Sequence, residues 1–505
     1  MLRAALLPAL VALALVAPLF AAAPVRDPHG KRFGGETCVA CHVAAPLPAP
    51  SAPSEMYDVV IVGGGMAGLS TLHYAAQNGR RALLLEVERE AGGQMRADSW
   101  KGITYAKGAA YFVEPYGILR EFYESEKIPF VKIHEPENSA FIGHRFFPNC
   151  WTEGKGRMPW PAAELAAWNK YFHEMDEVNT NNKSNQPFDS FDPDQRKLDS
   201  ITAYEDLKRH GLSEEMIAHL DRYIPSCFGE GSRVISASAF ANYISGELGG
   251  NFTVPGGMGG VTRIIAANHA RDIRLGCRVT NISQTMTQAT VTYLDPDNRP
   301  HTVAGRTVVA AVPCNLLPEL IPDLPREKVD VIRHTKYSSY LVAAVLCDQV
   351  LWDDRGYDTW IDGTYFKDII DATWIARDGK PYANKHRPHV LSLYCPLGVH
   401  GLDPMMNWTP KQFEQAILKD LEKTIPGARR HVSGIRLYRW GHSMHVAEPG
   451  FLTKSVPILR KPYFRIFFAG AEVEGLPCNE SAIWSGYGAA RGIETFLWDK
   501  VPALR

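Results

Sequence analysis

A glycine-rich turn between a short apolar strand and a helix constrains the fold of this chain more than any other feature. The run Tyr57–Val62 carries no charge after Asp58 and is rich in β-branched residues, which is typical of a buried parallel strand. The pattern Gly-x-Gly-x-x-Gly follows directly in Gly63–Gly68, and a helical stretch continues from Leu69 to Asn78. This order of strand, turn and helix predicts a Rossmann-like unit that binds a dinucleotide.

The residues of the turn have separate predicted roles. Gly63 permits the tight turn, Gly65 leaves space for a pyrophosphate, and Gly68 lets the helix pack closely on the strand. Met66 and Ala67 stand at the start of the helix, where free backbone N–H groups face the phosphates. These five residues are therefore candidate nucleotide-binding residues.

Glu86 completes the predicted nucleotide site. A second apolar strand, Ala82–Leu85, ends at this carboxylate, which lies 18 residues beyond Gly68. At that spacing an acidic side chain accepts hydrogen bonds from the ribose hydroxyls of a bound dinucleotide. A glycine-rich turn without a ligand would require neither this strand nor this acid.

Composition and charge exclude several other classes of protein. The 505 residues include 54 basic and 55 acidic side chains, so the formal net charge is −1 and no overall basic field attracts nucleic acid. Hydrophobic residues make up 45% and charged residues 22%, which argues against a disordered chain or a coiled coil. The nine cysteines are too dilute for a disulfide scaffold. A globular protein of two or three domains is expected.

The first 23 residues have the pattern of a secretory signal peptide. A positive start at Met1–Arg3 precedes the apolar stretch Ala4–Phe20, and Ala21–Ala23 supplies small residues for cleavage. Pro24 is an awkward neighbour for cleavage, which leaves an uncleaved N-terminal anchor as the alternative. This leader predicts export to the periplasm.

A c-type haem attachment motif follows the leader. The sequence Cys38-Val39-Ala40-Cys41-His42 matches the pattern C-x-x-C-H. In this pattern Cys38 and Cys41 form thioethers to the porphyrin, and the imidazole of His42 ligates the iron. The alternatives are a disulfide between the two cysteines, a redox-active cysteine pair, or half of a zinc site.

The segment 24–56 is too short to wrap a porphyrin by itself. Between Val43 and Glu55 it is rich in proline, which predicts an extended spacer that lays the haem against the main domain. The distal iron ligand stays unassigned, with His29, Met56 and the cluster 442–445 as candidates.

The rest of the chain resembles the FAD-dependent amine oxidase superfamily, which includes monoamine and polyamine oxidases and, more distantly, phytoene desaturases and protoporphyrinogen oxidases. The resemblance accumulates over separate segments: Gly92-Gly93, Tyr105–Tyr111, Val254–Gly260, Arg274–Val279, Phe467–Glu472 and Ala482–Ala490. It implies that FAD is the dinucleotide. It also implies further FAD-binding positions at Gly93, Gln94, Arg96, Gly108, Ala109, Val279, Gly470, Glu472, Ala482 and Ile483.

The resemblance further implies an α/β fold in which both domains are discontinuous. A Rossmann-like FAD-binding domain of the amine oxidase type would comprise residues 57–127, 250–310 and 440–505. An α+β substrate domain would comprise residues 128–249 and 311–439.

Local patterns predict several elements outside the nucleotide-binding unit. They are a capping box in Thr202–Glu205, a helix over Leu212–Arg222, a strand over Tyr340–Leu346, a helix over Lys411–Lys423 and an antiparallel hairpin within Val291–Val309.

The positions that carry chemistry in monoamine oxidases are altered in this sequence. In that family two aromatic residues flank the amine and a lysine holds a water near the flavin. Matching the segments places Cys478 and Ser443 at the aromatic positions, Val342 at the lysine, and His442 where some members attach flavin covalently. The candidate catalytic residues are therefore Cys478, His442, Trp440 and Tyr487.

Together these features predict a periplasmic flavocytochrome that oxidises a small molecule, an amine by the resemblance. Electrons would pass from FAD through haem c to a soluble cytochrome c or a cupredoxin. The alternatives are a desaturase or dehydrogenase of a non-amine apolar substrate, and a redox carrier with reduced catalysis. The sequence gives no reason for a nucleic-acid partner and leaves a homo-oligomer open.

Overall fold

The computed structural model describes residues 52–150, 158, 160–180, 193–353, 355–363 and 365–500. The predicted signal peptide at 1–23 and the haem motif, with Cys38, Cys41 and His42, lie outside these residues. Among the helices that are described, none combines the length and apolar character required to cross a bilayer.

The strands of the described residues, in chain order, are β1 (Met56–Val62), β2 (Ala82–Leu85), β3 (Ala97–Trp100), β4 (Ile103–Ala106), β5 (Phe112–Val113), β6 (Val131–Lys132), β7 (Asn138–Ile142), β8 (Arg145–Phe147), β9 (Asn251–Thr253), β10 (Ile273–Arg274), β11 (Arg278–Gln284), β12 (Ala289–Leu294), β13 (Pro300–Ala310), β14 (Tyr337–Cys347), β15 (Asp358–Ile361), β16 (Asp368–Asp371), β17 (His389–Gly398), β18 (Val432–His445) and β19 (Ile466–Phe468).

The α-helices are α1 (Met66–Gln77), α2 (Ile118–Ser125), α3 (Ala162–Thr180), α4 (Pro193–Lys197), α5 (Ala203–Arg209), α6 (Glu214–Phe228), α7 (Ala237–Glu247), α8 (Gly259–Asn268), α9 (Leu317–Leu320), α10 (Arg326–His334), α11 (Leu402–Asn407), α12 (Pro410–Thr424), α13 (Val456–Arg460), α14 (Ala471–Glu474) and α15 (Asn479–Lys500).

The first sheet presents the glycine-rich turn at the end of its central strand. Its strand order is β10-β2-β1-β13-β12-β11, with β19 also paired to β13. β1 pairs in parallel with both β2 and β13, and Val59, Val60 and Ile61 have no exposed surface. A fully apolar run is what a strand covered on both faces requires. The predicted strand and α/β architecture are confirmed.

Helix α1 begins earlier than its apolar pattern predicted. It starts at Met66, directly after the glycine turn, and ends at Gln77 instead of Asn78. α15 packs against α1, and a Cβ at Gly486 would lie 2.0 Å from the Ser70 hydroxyl. The two ends of the chain's described part therefore meet at this sheet.

The second sheet has the strand order β18-β14-β17-β16-β15-β7-β8. β14 pairs antiparallel with β17 and β18 and contains the predicted strand Tyr340–Leu346. Helix α6 lies across β15, β16 and β17. It begins two residues after the predicted start and continues to Phe228. The capping box at Thr202, helix α12 and the β12–β13 hairpin are likewise confirmed.

The two sheets draw their strands from separate stretches of the chain. The first sheet draws its strands from 56–85, 273–310 and 466–468, and the second draws its strands from 138–147 and 337–445. The predicted boundary at residue 440 lies inside β18, which continues to His445. Because β18 extends past this boundary, it carries Trp440 and His442 from the second sheet toward the nucleotide-binding turn.

Candidate active site

A cleft of about 480 Å³ joins the glycine-rich turn to the inner face of the second sheet. At one end it is lined by the loop after β1 and the end of β2, and at the other end by β14 to β17 and helix α6. The two ends have different chemistry, since the first is formed by glycines and backbone groups and the second by tyrosines and carboxyl groups.

The three glycines that define the Gly-x-Gly-x-x-Gly motif are required for two different reasons. A Cβ at Gly63 would lie 2.3 Å from the Ala311 carbonyl oxygen, and one at Gly68 would lie 1.9 Å from the Gly63 carbonyl oxygen. These two positions are required for backbone packing. A Cβ at Gly65 would meet no protein atom within 4 Å, because Gly65 borders the open cleft.

Helix α1 points its N-terminus into the cleft. Gly65 is its N-cap residue and provides no side-chain cap, and the first turn carries no acidic residue. The first N–H groups of a helix lack partners within the helix and attract anions. Gly65, Met66 and Ala67 thus form a site suited to phosphate groups.

Glu86 lies at the end of β2, beside the turn. Its carboxylate accepts hydrogen bonds from the N–H groups of Gly64 at 2.5 Å and Glu88 at 2.8 Å. Burial raises the pKa of Glu86, against the lowering effect of these backbone donors. The carboxyl group is therefore held at the cleft wall, where a ribose hydroxyl can reach it.

Most of the predicted FAD-binding residues line this cleft. Those that do are Gly63, Gly65, Met66, Ala67, Glu86, Gly93, Gln94, Arg96, Gly108, Ala109, Val279, Gly470, Glu472 and Ala482. Gly68 lies behind the turn, and Ile483 is fully buried in the core beneath it. These two residues support the shape of the site instead of lining it.

The residues present fit FAD. Open space above Gly65, an uncapped helix N-terminus and a carboxyl group at the end of β2 match a pyrophosphate and its adjoining ribose. Val279 on β11 of the first sheet borders one part of the cleft, and Trp440 on β18 of the second sheet, with Ala482 of α15, borders another. The adenine and flavin ends of the dinucleotide thus have separate walls.

Polar contacts connect the two sheets around the predicted flavin end. The Gln94 side chain donates to the Ser443 carbonyl at 2.6 Å, and the Trp440 indole donates to the Lys107 carbonyl at 2.8 Å. The Arg96 guanidinium lies over the Trp440 ring at 5.6 Å from its centroid. Gln94 and Arg96 therefore hold β18 against the loop that follows the second glycine pair.

Three of the four candidate catalytic residues line the cleft: Cys478, His442 and Trp440. Burial raises the pKa of the Cys478 thiol, which keeps it protonated and poorly nucleophilic at neutral pH. The His442 ring contacts the Tyr337 ring edge-to-face with centroids 5.7 Å apart. His442 also lines a second cavity of about 560 Å³ that opens beside the cleft.

Tyr487 does not line the cleft. It lies on α15 with its ring 5.0 Å from that of Tyr74 and 5.8 Å from that of Trp484, measured between centroids. The α15 face that carries Tyr487 packs on α1, so its contacts are with neighbouring helices. Tyr487 therefore packs between helices and does not face the cleft, contrary to the prediction that it lies beside the flavin.

The substrate end of the cleft consists of residues that sequence reasoning missed. Five tyrosines line it, and burial raises the pKa of each well above its usual value: Tyr111, Tyr223, Tyr243, Tyr340 and Tyr394. Their phenol groups therefore stay neutral across the physiological range. Val342, at the position that resemblance assigned to a lysine, also lines the cleft.

Two aspartates stand among these tyrosines. Asp358 is 3% exposed and Asp368 is 4% exposed, and both line the cleft. One carboxyl oxygen of each has no hydrogen-bond partner among the described residues. Burial raises the pKa of both groups, and repulsion from Asp368 and from Glu247 adds to the effect on Asp358. In the sequence, the only indication of this pair is that each of two apolar strands begins with an acidic residue.

A separate buried acid lies behind the substrate end. Glu247, at the end of α7, is 1% exposed, and neither of its carboxyl oxygens has a hydrogen-bond partner among the residues that the structure describes. Burial raises its pKa to about 8. The folded protein therefore retains a proton that the unfolded chain loses near pH 4.3, so this group makes stability fall as pH rises between about 4.3 and 8.

Replacing Glu247 with glutamine should remove this loss of stability at higher pH. We expect Glu247→Gln to raise the free energy of unfolding by an amount on the order of 2–4 kcal/mol at pH 8 and to have little effect at pH 5. Thermal unfolding of the holoprotein at both pH values measures the difference. The control is Glu414→Gln, a half-buried position on α12 away from the cleft, which should change neither midpoint. An equal shift of the Glu247→Gln midpoint at both pH values would contradict this assignment.

Outside the cleft, the single acid Glu126 forms a hydrogen-bonded group with two histidines and an asparagine. The Glu126 carboxylate contacts the His73 ring nitrogen Nδ1, and it contacts Nε2 of His269 at 2.8 Å and the Asn268 amide at 2.7 Å. Burial raises its pKa, but these hydrogen bonds outweigh burial and lower it to about 2. The ionised carboxylate thereby ties α1, α2 and α8 together.

Comparison with known proteins agrees with this geometry. The profile of the family described as flavin-containing amine oxidoreductase matches residues 66–493. The flavin-containing amine oxidase A of Bos taurus is 22% identical over 485 residues, covering 87% of this chain and 84% of the relative. The flavin-containing amine oxidase B of Homo sapiens is 22% identical over 475 residues, covering 86% of this chain and 84% of the relative.

Solved structures share the fold. Wild-type putrescine oxidase bound to putrescine aligns with a TM-score of 0.68 at 18% identity, covering 87% of this chain and 99% of the other. Cyclohexylamine oxidase from Brevibacterium oxydans aligns with a TM-score of 0.67 at 19% identity, covering 88% and 99%. At these identities the likeness establishes the fold.

Proposed function

Since the chain belongs to the flavin-containing amine oxidoreductase family and is an FAD-dependent oxidoreductase, we propose that it is a periplasmic amine dehydrogenase that exports electrons through haem c. The observation that carries the amine assignment is the cleft itself. It runs from the FAD-binding turn to a wall of neutral tyrosines and buried carboxyl groups. Such a wall accommodates a positively charged, partly aliphatic molecule.

The chemistry divides between the cofactor and the chain. FAD held by Gly65, Met66 and Glu86 would supply the acceptor for a hydride from the carbon next to the amine nitrogen. The substrate ammonium would first give up one proton to solvent, and loss of the hydride would then leave an iminium ion, the protonated imine. Water would convert it to a carbonyl compound and ammonium or a smaller protonated amine. The chain contributes orientation, since Trp440 and Cys478 border the predicted flavin end and Tyr340 and Tyr394 border the path to it. Their buried rings exclude water from the reacting carbon.

The side chain at position 342 supports a dehydrogenase over an oxidase. In the family the corresponding lysine holds a water beside the flavin, and here Val342 is 1% exposed on the cleft wall. The residues that line the cleft in the described part of the chain include no lysine. An enzyme that exports its electrons gains nothing from a group that favours reaction with oxygen.

The haem assignment depends on Cys38, Cys41 and His42 behind a leader that directs export. We propose that the haem rests near the flavin end of the cleft and delivers electrons to a soluble cytochrome c or a cupredoxin. The second cavity, which shares His442 with the cleft, provides one approach to that end.

An anaerobic titration tests the amine assignment. We expect primary amines to bleach the flavin absorbance of the holoprotein, and an artificial acceptor to restore it, with turnover in oxygen alone at least about tenfold slower than with the acceptor. A panel of amines, matched alcohols and apolar alkenes supplies the comparison. Flavin that stays oxidised with every amine would reject the assignment.

The same panel distinguishes the second candidate function, a dehydrogenase or desaturase of a non-amine apolar substrate. The observation that favours it is the absence of the family's two flanking aromatics, since Cys478 and Ser443 line the cleft at those positions. Flavin bleaching by an alkene or alcohol, without bleaching by amines, would establish this alternative.

A further inference from the structure

The inner face of the second sheet brings two carboxyl groups together on the wall of the cleft. In the β15–β16 hairpin, Asp358 pairs with Ile370 and Trp360 pairs with Asp368. Residues that pair directly, and residues two apart on one strand, share a face of the sheet. Asp358 and Asp368 are therefore diagonal neighbours on one face.

The same face continues into the flavin side of the cleft. Asp368 pairs with Tyr394 of β17, and Tyr394 pairs with Val342 of β14. Tyr340 lies two residues before Val342, and its ring contacts that of Tyr394 with centroids 5.9 Å apart. A path lined by tyrosine rings thus leads from the position of the flavin to the two aspartates.

In the described part of the chain, no basic side chain is paired with either aspartate, although the charge of Lys367 favours the ionised form of Asp368. Neither aspartate forms an ion pair, and one oxygen of each lacks any hydrogen-bond partner. The groups that face them are the tyrosines of the cleft, the Ser226 hydroxyl and the acid Glu247. Lys367, the neighbour of Asp368, donates instead to the Gly363 carbonyl at 3.0 Å.

Buried acids without partners are unfavourable for the folded chain alone. Burying a carboxyl group without a hydrogen bond or a counter-charge opposes folding, and two adjacent carboxyls repel each other when ionised. A cation seated between them would remove both penalties. Neutral tyrosine rings along the approach add cation–π attraction and apolar surface for a methylene chain.

We infer that Asp358 and Asp368 bind a second ammonium group of the substrate, so that the substrate is a linear diamine or polyamine. This inference rests on the proposed function. The amine to be oxidised lies at the flavin end, the methylene chain lies along Tyr340 and Tyr394, and the distal ammonium lies between the two carboxylates. The pair sets which amines are accepted and takes no part in the hydride transfer.

Paired substrates test this inference in the holoprotein. We expect a linear α,ω-diamine to have a kcat/KM at least about tenfold above that of the n-alkylamine of equal chain length. Asp358→Asn and Asp368→Asn should each lower this preference at least about tenfold, because each removes a charge that only the diamine uses. Asp362→Asn is the matched control, since Asp362 is exposed and pairs with Arg222 at 2.5 Å outside the cleft. The Asp362→Asn variant should keep the preference for the diamine over the alkylamine.

Binding provides a second readout that does not depend on turnover. The diamine, added without oxygen, should raise the thermal unfolding midpoint of the wild-type holoprotein more than the monoamine does. This difference should vanish in both aspartate variants. Equal midpoint shifts and equal kcat/KM for the two amines in the wild-type protein would overturn the inference, even if the variants did not fold.

The two readouts separate this inference from the proposed function. Monoamines and diamines that are oxidised equally well would retain amine oxidation and reject the carboxylate site. A diamine that stabilises the protein through Asp358 and Asp368 without ever reducing the flavin would retain the site and reject amine oxidation.

Discussion

A valine at position 65 is expected to leave the protein folded and to abolish FAD binding. Gly65 has φ of −71° and ψ of −179°, an extended conformation that any residue adopts. Its Cβ would meet no protein atom within 4 Å and would enter the open cleft beside the helix N-terminus. The added side chain would therefore occupy the space of the pyrophosphate and weaken FAD binding by about a hundredfold or more.

The measurement is the FAD content of purified Gly65→Val protein, together with its circular dichroism. The matched control is Gly434→Val on β18, where a Cβ likewise meets nothing within 4 Å, but away from the cleft lining. The control should retain the flavin. Full FAD occupancy in Gly65→Val would show that the pyrophosphate does not approach this glycine.

The nucleotide-binding half was predictable because its determinants are local in the sequence. Strand β1, the turn Gly63–Gly68 and Glu86 fall within 31 residues, and each residue type has one backbone or hydrogen-bonding purpose. Gly68 shows the limit of this reasoning. It belongs to the motif, but the structure places it against the Gly63 carbonyl, outside the cleft.

The substrate half was not predictable because its wall is assembled from alternate residues of four separate strands. Tyr340, Asp358, Asp368 and Tyr394 are spread over β14 to β17, and no contiguous pattern connects them. Which residues share a face depends on strand register, and a register shift of one residue would turn both aspartates away from the cleft. That register appears only in the folded hairpin.

Tyr487 illustrates a different reason for failure. Its segment belongs to a motif of the family, so proximity to the flavin was inferred for the whole stretch. In α15 neighbouring residues point in different directions, and while Ala482 lines the cleft, Tyr487 contacts Tyr74 of α1. A motif therefore locates a helix near a site without deciding which face of the helix reaches it.

The cleft connects the two halves through β18. This strand pairs with β14 in the second sheet, and its residues Trp440, His442 and Ser443 line the cleft near the loop that binds FAD. The hydrogen bond from Gln94 to the Ser443 carbonyl fixes this approach. A substrate held by the aspartates of β15 and β16 is thus positioned relative to the flavin by one continuous sheet.

We expect a His42→Ala variant to lose efficient electron export to an external acceptor, and this is the second large effect that we predict. The imidazole of His42 would ligate the haem iron while Cys38 and Cys41 hold the porphyrin, so the variant should keep its covalent haem with altered iron ligation. Substrate should still bleach the flavin in the absence of oxygen. Transfer to an external cytochrome c should fall by about a hundredfold or more, since axial ligation sets the potential of the iron.

Two measurements on protein from a host that matures c-type cytochromes test the internal relay. Mass spectrometry should find one haem on the wild-type and His42→Ala proteins and none on the Cys38→Ala, Cys41→Ala double variant. Stopped-flow absorbance should show haem reduction following flavin reduction within one turnover of the wild-type protein, and Lys31→Ala, a change in the same segment outside the motif, should preserve it. Flavin that becomes fully reduced while the haem stays oxidised over many turnover times would contradict the internal relay, because electrons would then not pass from the flavin to the haem within a turnover.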